Sequence, residues 1–198
     1  SGVKVLFTRT VPSSLTATTT TATDGGFSID LEDGIYDVTY SKDGYFSQSL
    51  TSQVFYSNTT LSNITLVEHS TTINVPSLFE TIQEALNNAL EGDAILVQPG
   101  TYYENILWPE TNGIKLIGSG EDDCFIDGDS LASVIRFEED LGGIIDSTTL
   151  ITGFTIQNGY AQGNYPYNRG GGMYLYESSP TLIDVTFSNN TAEAGGGG

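Results

Sequence analysis

The chain is poor in the residues that most site chemistry needs. Its 198 residues hold one cysteine, Cys124, one histidine, His69, and only six Lys and Arg against 25 Asp and Glu, a formal net charge of −19. A lone cysteine excludes an internal disulfide framework, and with a lone histidine it excludes a Cys/His zinc site. Six scattered cations without a basic run make nucleic acid and anionic membrane surfaces poor partners. Apolar runs stop far short of the about 20 residues of a membrane-spanning helix, so no membrane span is expected. The chain opens in strand-like Val3-Lys4-Val5-Leu6-Phe7 without the basic start of a secretion signal, which implies that any targeting signal has been removed. What is abundant is acid and 23 glycines. An acidic surface suits cations, salt and solubility, and the length allows one or two domains.

Texture divides the chain near residue 70. Before it, apolar residues alternate at period two in Phe27-Ser28-Ile29-Asp30-Leu31, Tyr36-Asp37-Val38-Thr39-Tyr40 and Leu61-Ser62-Asn63-Ile64-Thr65-Leu66, which predicts antiparallel strands with one buried face. Asp24-Gly25, Asp33-Gly34 and Asp43-Gly44 read as turns that need positive φ. Thr16 to Thr23 reads as an edge strand or hairpin arm, because β-branched Thr suits a strand. A small antiparallel β-sandwich over residues 1–70 follows.

Asp24-Gly25-Gly26-Phe27-Ser28-Ile29, then Asp33-Gly34-Ile35-Tyr36-Asp37-Val38-Thr39-Tyr40 and Asp43-Gly44-Tyr45, resemble the carboxypeptidase regulatory-like (transthyretin-like) β-sandwich over about residues 2–67. The resemblance implies an accessory module without catalytic residues. It also implies a first strand ahead of the Gly2-Val3-Lys4-Val5 strand. Without that strand, unpaired N–H and C=O groups would invite self-association or a strand donated by another chain.

After Ser70 one amphipathic helix is expected at about 77–90. Ser77-Leu78-Phe79-Glu80 forms a capping box, Leu78, Ile82, Ala85, Leu86 and Ala89 share a face, and Gly92 ends the helix. Short strands follow at Ala94–Val97, Ile114–Ile117, Cys124–Ile126 and Val134–Phe137. A shift of 31 residues lays Phe154-Thr155-Ile156-Gln157-Asn158 on Val185-Thr186-Phe187-Ser188-Asn189. Short strands repeating at this period indicate a β-solenoid whose coils bury apolar side chains by stacking on one another. Phe154, Ile156, Val185 and Phe187 would then point inward, and Asn158 and Asn189 would share amide hydrogen bonds at a corner.

Thr81-Ile82-Gln83-Glu84-Ala85-Leu86, Gly92-Asp93-Ala94-Ile95-Leu96-Val97-Gln98-Pro99-Gly100-Thr101-Tyr102-Tyr103-Glu104, Leu116-Ile117-Gly118-Ser119-Gly120 and Ile126-Asp127-Gly128 resemble the capped amino-terminal part of pectate-lyase-like right-handed parallel β-helices. The resemblance runs from about residue 72 to the end. It implies an all-β second domain, 71–198, whose helix plugs the open end, with Asp93, Gly100, Tyr102 and Asp127 structural at turns. The chain would stop in mid-coil, truncated at its C-terminus.

Enzymes of that superfamily use clustered carboxylates with Ca²⁺ and a basic residue, or paired Asp as acid and base. Arg136 and Arg169 are the only arginines in this half, and neither stands beside a recognisable carboxylate set. Glu121-Asp122-Asp123 and Glu138-Glu139-Asp140 admit two readings, Ca²⁺ ligands or solvated turns; the missing Asp-x-Asp-x-Asp-Gly spacing favours turns. The segment Tyr160 to Arg169 interrupts the repeat. Tyr160, Tyr165, Tyr167 and Arg169 are candidates to stack on and hydrogen-bond sugar rings, the alternative being rings that cover the flank of the solenoid. Tyr102, Tyr103 and Trp108 are expected to pack under the cap, and Cys124 to be a buried small hydrophobe. Asn58, Asn63 and Asn189 begin glycosylation sequons that carry little weight in an Asn/Thr-rich chain.

The expectation is therefore an extracellular or cell-surface, fibre or matrix protein with a structural and adhesive role, continued by more chain or by neighbouring subunits. The alternatives are the N-terminal portion of a secreted polysaccharide lyase or hydrolase, and a module that binds extracellular polysaccharide.

Overall fold

The computed structural model describes residues 1–56, 59–138, 141 and 143–196. Asn58, Glu139, Asp140, Gly197 and Gly198, which figured in the sequon, acidic-run and glycine-run readings, lie outside them. The fold is all-β with one short helix, in two compact units, Ser1–His69 and Ser70–Gly198.

In the first unit β1 (Lys4–Val11), β2 (Leu15–Thr20), β3 (Gly34–Ser41) and β4 (Gln48–Phe55) form one antiparallel sheet in the order β2-β1-β3-β4. The period-two pattern acts as expected. Every second residue of β3 is buried, and Val5, Phe7, Tyr36, Val38 and Tyr40 make the core. The Thr-rich stretch is the edge strand β2, paired in register with β1 from Arg9↔Leu15 to Lys4↔Thr20.

Two expectations fail in this unit. Phe27–Leu31 alternates in burial as a strand does, Leu61–Leu66 does so only from Asn63 on, and the apolar residues of both pack on the core, yet neither joins a ladder. Alternation buries a face, but a strand also needs a partner for its backbone, and none is in place. Asp33-Gly34 is not a positive-φ turn either, whereas Gly25 and Gly44 do sit at φ +85° and +77°. Gly34 starts β3 and is required for closeness. A Cβ there would stand 2.6 Å from the Val11 carbonyl oxygen and 2.7 Å from Cδ of Arg9. Arg9 crosses at that point to donate to the carboxylate of Glu32 at 2.6 Å.

In the second unit β5 (Thr72–Val75) leads through a turn to α1 (Ile82–Asn88), a helix of two turns rather than three. Its N-cap is Thr81, not Ser77. The Thr81 hydroxyl accepts from the Glu84 N–H at 3.1 Å, and the Glu104 carboxylate takes the next two free donors, Ile82 N–H and Gln83 N–H, at 2.8 Å each. Ile82, Ala85 and Leu86 form the buried face, and Gly92 lies past the helix end in the turn to the next strand.

The strands β6 (Ala94–Val97), β7 (Gly100–Tyr103), β8 (Ile106–Leu107), β9 (Lys115–Gly118), β10 (Cys124–Asp127), β11 (Ile135–Phe137), β12 (Leu150–Gln157), β13 (Tyr160–Ala161), β14 (Met173–Leu175), β15 (Thr181–Ser188) and β16 (Thr191–Ala192) then pair only in parallel. Among the described residues they form, with β5, three sheets. The largest has the order β5-β6-β9-β12-β10-β7, with β15 also on β12; the others are β14-β11-β8 and β13-β16. One long strand, β12, spans both β9 and β10, bending at Gly153 with φ +74°. The 31-residue repeat is the ladder itself, with Phe154 opposite Val185 and Ile156 opposite Phe187.

Phe154 and Ile156 are fully buried, but Val185 and Phe187 are only half-buried. The reason is that β15 has a described partner on one edge alone. The corner asparagines also differ from expectation. Asn158 and Asn189 do hold left-handed turns at φ 54° and 55°, a conformation Asn tolerates. Their amides do not meet, however: Asn158 donates to Asp127 at 2.7 Å, and it is Asn190 that links neighbouring strands, donating to the Ile156 carbonyl and accepting from Gly159 N–H.

Candidate functional site

The segment between β13 and β14 rests on a buried side chain from the adjacent strand. Parallel pairing of β11 with β14 sets Arg136 directly opposite Tyr174. The guanidinium lies 4.3 Å from the centre of the Tyr174 ring and 5.1 Å from that of Tyr167, within cation–π range of both. Its nitrogens are also spent. Nε donates to Glu138 at 2.5 Å, Nη1 to the Ser133 hydroxyl at 2.9 Å and the Arg169 carbonyl at 3.4 Å, and Nη2 to the Pro166 carbonyl at 3.5 Å. Only a planar fork with five donors can reach so many acceptors from one stem. Arg136 is thus an internal clamp, buried to 8% exposure, and Glu138, read in the sequence as part of an acidic run, is its ion-pair partner.

What the clamp presents is aromatic. Tyr165 is 60% exposed and Tyr167 59%, so these rings do not merely cover the flank of the unit. The exposed Arg169 guanidinium stands 5.2 Å from the Tyr165 ring centre. The loop closes on itself through Tyr167 N–H to the Asn164 carbonyl at 2.8 Å, and onto the neighbouring segment through Ala194 N–H to the Asn168 carbonyl at 2.9 Å and Gly163 N–H to the Glu193 carboxylate at 2.9 Å. Two open tyrosine faces and one cation on a fixed loop can stack on a ring and donate to its hydroxyls. Tyr160 is placed apart. It lies half-buried in the β13–β16 ladder, opposite Thr191, with its hydroxyl directed to Glu193.

No protein-family model, no curated protein and no solved structure matches the chain. Its chemistry is therefore read from its own geometry.

Glu121, Asp122 and Asp123 occupy the exposed turn between β9 and β10. Glu121 accepts from Thr155 through its carbonyl at 2.7 Å and from Thr186 through its carboxylate at 3.2 Å, and the Asp123 carbonyl accepts from Gly100 N–H. Among the described residues, no group of three His, Cys, Asp or Glu side chains is arranged to hold a metal ion.

Asp127 is a structural turn anchor. Burial pushes its carboxyl up, but hydrogen bonds from Asp129 N–H, Gln157 and Asn158 outweigh that and hold it below the usual carboxylate range. Cys124 is fully buried, and burial raises its thiol against a smaller opposing effect of hydrogen bonding with Ser119, so it is a poor thiolate source. Trp108 packs as expected, stacked on Phe137 at 4.9 Å; Tyr103 does not, being 71% exposed. The sequence reading missed Ser133, Glu138 and Tyr174 as parts of the site. Tyr174 reaches it only through the β11–β14 pairing, across the loop, whereas Ser133 and Glu138 are chain neighbours of Arg136 that its buried guanidinium turns to.

Proposed function

We propose that this chain is part of an extracellular surface or fibre protein with a structural and adhesive role, and that the Tyr165–Arg169 loop is its contact with polysaccharide. In this reading the first unit is a carboxypeptidase regulatory-like sandwich. The second is the start of a pectate-lyase-like right-handed parallel β-helix closed by α1. Three parallel sheets among the described residues, the 31-residue offset of β12 and β15, and an amphipathic helix beside β5 and β6 support the second assignment.

The single observation that carries the adhesive reading is the pair of tyrosines left three-fifths exposed on a loop immobilised by Arg136. A fixed aromatic platform loses little entropy on binding, whereas a loose one would be ordered at a cost. Charge narrows the partner. A net charge of −19 repels carboxylated or sulfated polymers, and Arg169 offers the loop one exposed cation, so a neutral polysaccharide fits best.

The test is a glycan array carrying neutral and acidic polymers. The wild-type chain is expected to bind neutral members, and Tyr165→Ala with Tyr167→Ala to lose at least tenfold in affinity with an unchanged circular dichroism spectrum. Equal binding by the double variant removes the loop from the reading. New unsaturated or reducing ends after incubation with acidic glycans, with or without Ca²⁺, would replace adhesion by a lyase or hydrolase activity.

A further inference from the structure

The first unit contains a groove of about 1020 Å³, lined by the two extended segments that fail to pair, Phe27–Leu31 and Leu61–Leu66, and by core residues of the sheet including Phe7 and Tyr40. Among the described residues, none of the backbone N–H groups of Phe27–Leu31 or Leu61–Leu66 donates a hydrogen bond to the protein. Their side chains nevertheless alternate in and out as in a sheet over Phe27–Leu31 and over residues 63–66. A second observation points into the same space. Tyr40 lines the groove, and its buried hydroxyl has no hydrogen-bond partner; burial also raises its pKa. Buried donors and acceptors without partners are rare and costly.

We propose that this groove is an acceptor for an added β-strand from a separate polypeptide, apolar at alternate residues and carrying Lys or Arg between them. A peptide backbone supplies donors and acceptors at the spacing that two extended walls lack, and it also offers Tyr40 a carbonyl. Apolar side chains at every second position would fill the space over Phe7, Ile29 and Ile64. Sign follows from the lining: Asp24, Asp30 and Asp33 line the groove, and Lys42 is the one cationic side chain among its lining residues. The site is independent of the Tyr165–Arg169 loop, which belongs to the other unit.

The experiment uses the full chain and a synthetic octapeptide, Thr-Val-Lys-Val-Thr-Val-Lys-Val, with hydrogen exchange read at single amides. Saturable binding is expected, with exchange at Phe27–Leu31 and Leu61–Leu66 slowed at least tenfold. The same peptide N-methylated at alternate amides should bind at least tenfold more weakly, and a version with Glu for Lys several-fold more weakly. Tyr40→Phe should lower peptide affinity without lowering the stability of the free chain, because the hydroxyl is unpartnered there. Asp30→Lys, an exposed change, should reverse the preference between the Lys and Glu peptides.

The proposal is overturned by any of three results: no peptide-dependent protection, equal binding of the N-methylated peptide, or protection of both segments already present in the free chain. If that protection grows with protein concentration alongside a dimer in sedimentation, a second copy is the occupant; if it is independent of concentration, the chain covers its own groove.

Discussion

In the first unit a strand such as β3 buries alternate side chains and leaves the others toward solvent, whereas in the second β12 buries every residue from Gly153 to Ile156. The antiparallel strands need only a turn to find a neighbour and are covered on one face. Strand β12 is covered by neighbours on both edges, β15 on one and β9 and β10 on the other, and from Gly153 to Ile156 on both faces. Each unit is therefore vulnerable in its own way. The first depends on one apolar layer and has an open groove in it. The second depends on close backbone stacking, where there is no room for adjustment.

The largest effect that would break this contrast is a cavity in the stack. Phe154→Ala removes a fully buried ring and is expected to destabilise the second unit by about 3–5 kcal/mol. The only tryptophan, Trp108, lies buried in that unit, so its fluorescence in urea reports that unit alone. Phe7→Ala, in the first unit, should leave the Trp108 transition in place while far-UV dichroism loses an earlier phase. A shared shift of both signals would mean that the units unfold as one.

Next in size is backbone crowding. A Cβ on Gly159 would stand 2.0 Å from the Gly171 carbonyl oxygen, and no side chain can yield there. Gly159→Ala should cost about 1–3 kcal/mol or more by the strain of overpacking. Gly163→Ala has open space around it and only its φ of +98° to oppose it, for about 1–2 kcal/mol. If the two variants melt alike, close stacking is not what limits the second unit.

A third test uses acid. The folded pKa of Asp127 lies below its unfolded value, so its contribution is complete above the unfolded pKa of about 4 and is lost as pH falls through the folded value. Asp127→Asn should lower stability at pH 7 by about 1–3 kcal/mol, the worth of hydrogen bonds to a charged group, and this difference from wild type should shrink below pH 4 in urea titrations followed by Trp108. A difference that stays constant from pH 7 to pH 3 would show that the carboxylate charge is irrelevant. The smallest effect is Thr81→Ala, about 1 kcal/mol through the lost N-cap, whereas Ser77→Ala should be nearly silent by the same measurement.

That last pair shows where the sequence stops being informative. Ser77-Leu78-Phe79-Glu80 and Thr81-Ile82-Gln83-Glu84 carry the same capping signature, and nothing local chooses between them. The choice falls to Glu104, whose carboxylate arrives from β7's end to cover the first free N–H groups after Thr81. Similarly, Arg136 was visible as one of two arginines in its half, but its sandwich between Tyr167 and Tyr174 depends on strand register across an insertion. The tyrosines of the loop were legible as an aromatic cluster around Pro166; their exposure was not.

The sequence by itself determined the all-β class, the change of texture near residue 70, the alternating faces of β1 and β3, and the 31-residue offset that becomes the β12–β15 ladder. These are set by local period and spacing, which the order of residues along the chain carries without any tertiary contact. Only the tertiary structure decided which cap starts α1, which asparagine bridges neighbouring strands, how Arg136 fixes the loop, and that two well-patterned segments run without partners. Each of those depends on groups far apart in the chain meeting at hydrogen-bond distance, and period and composition hold no record of such meetings.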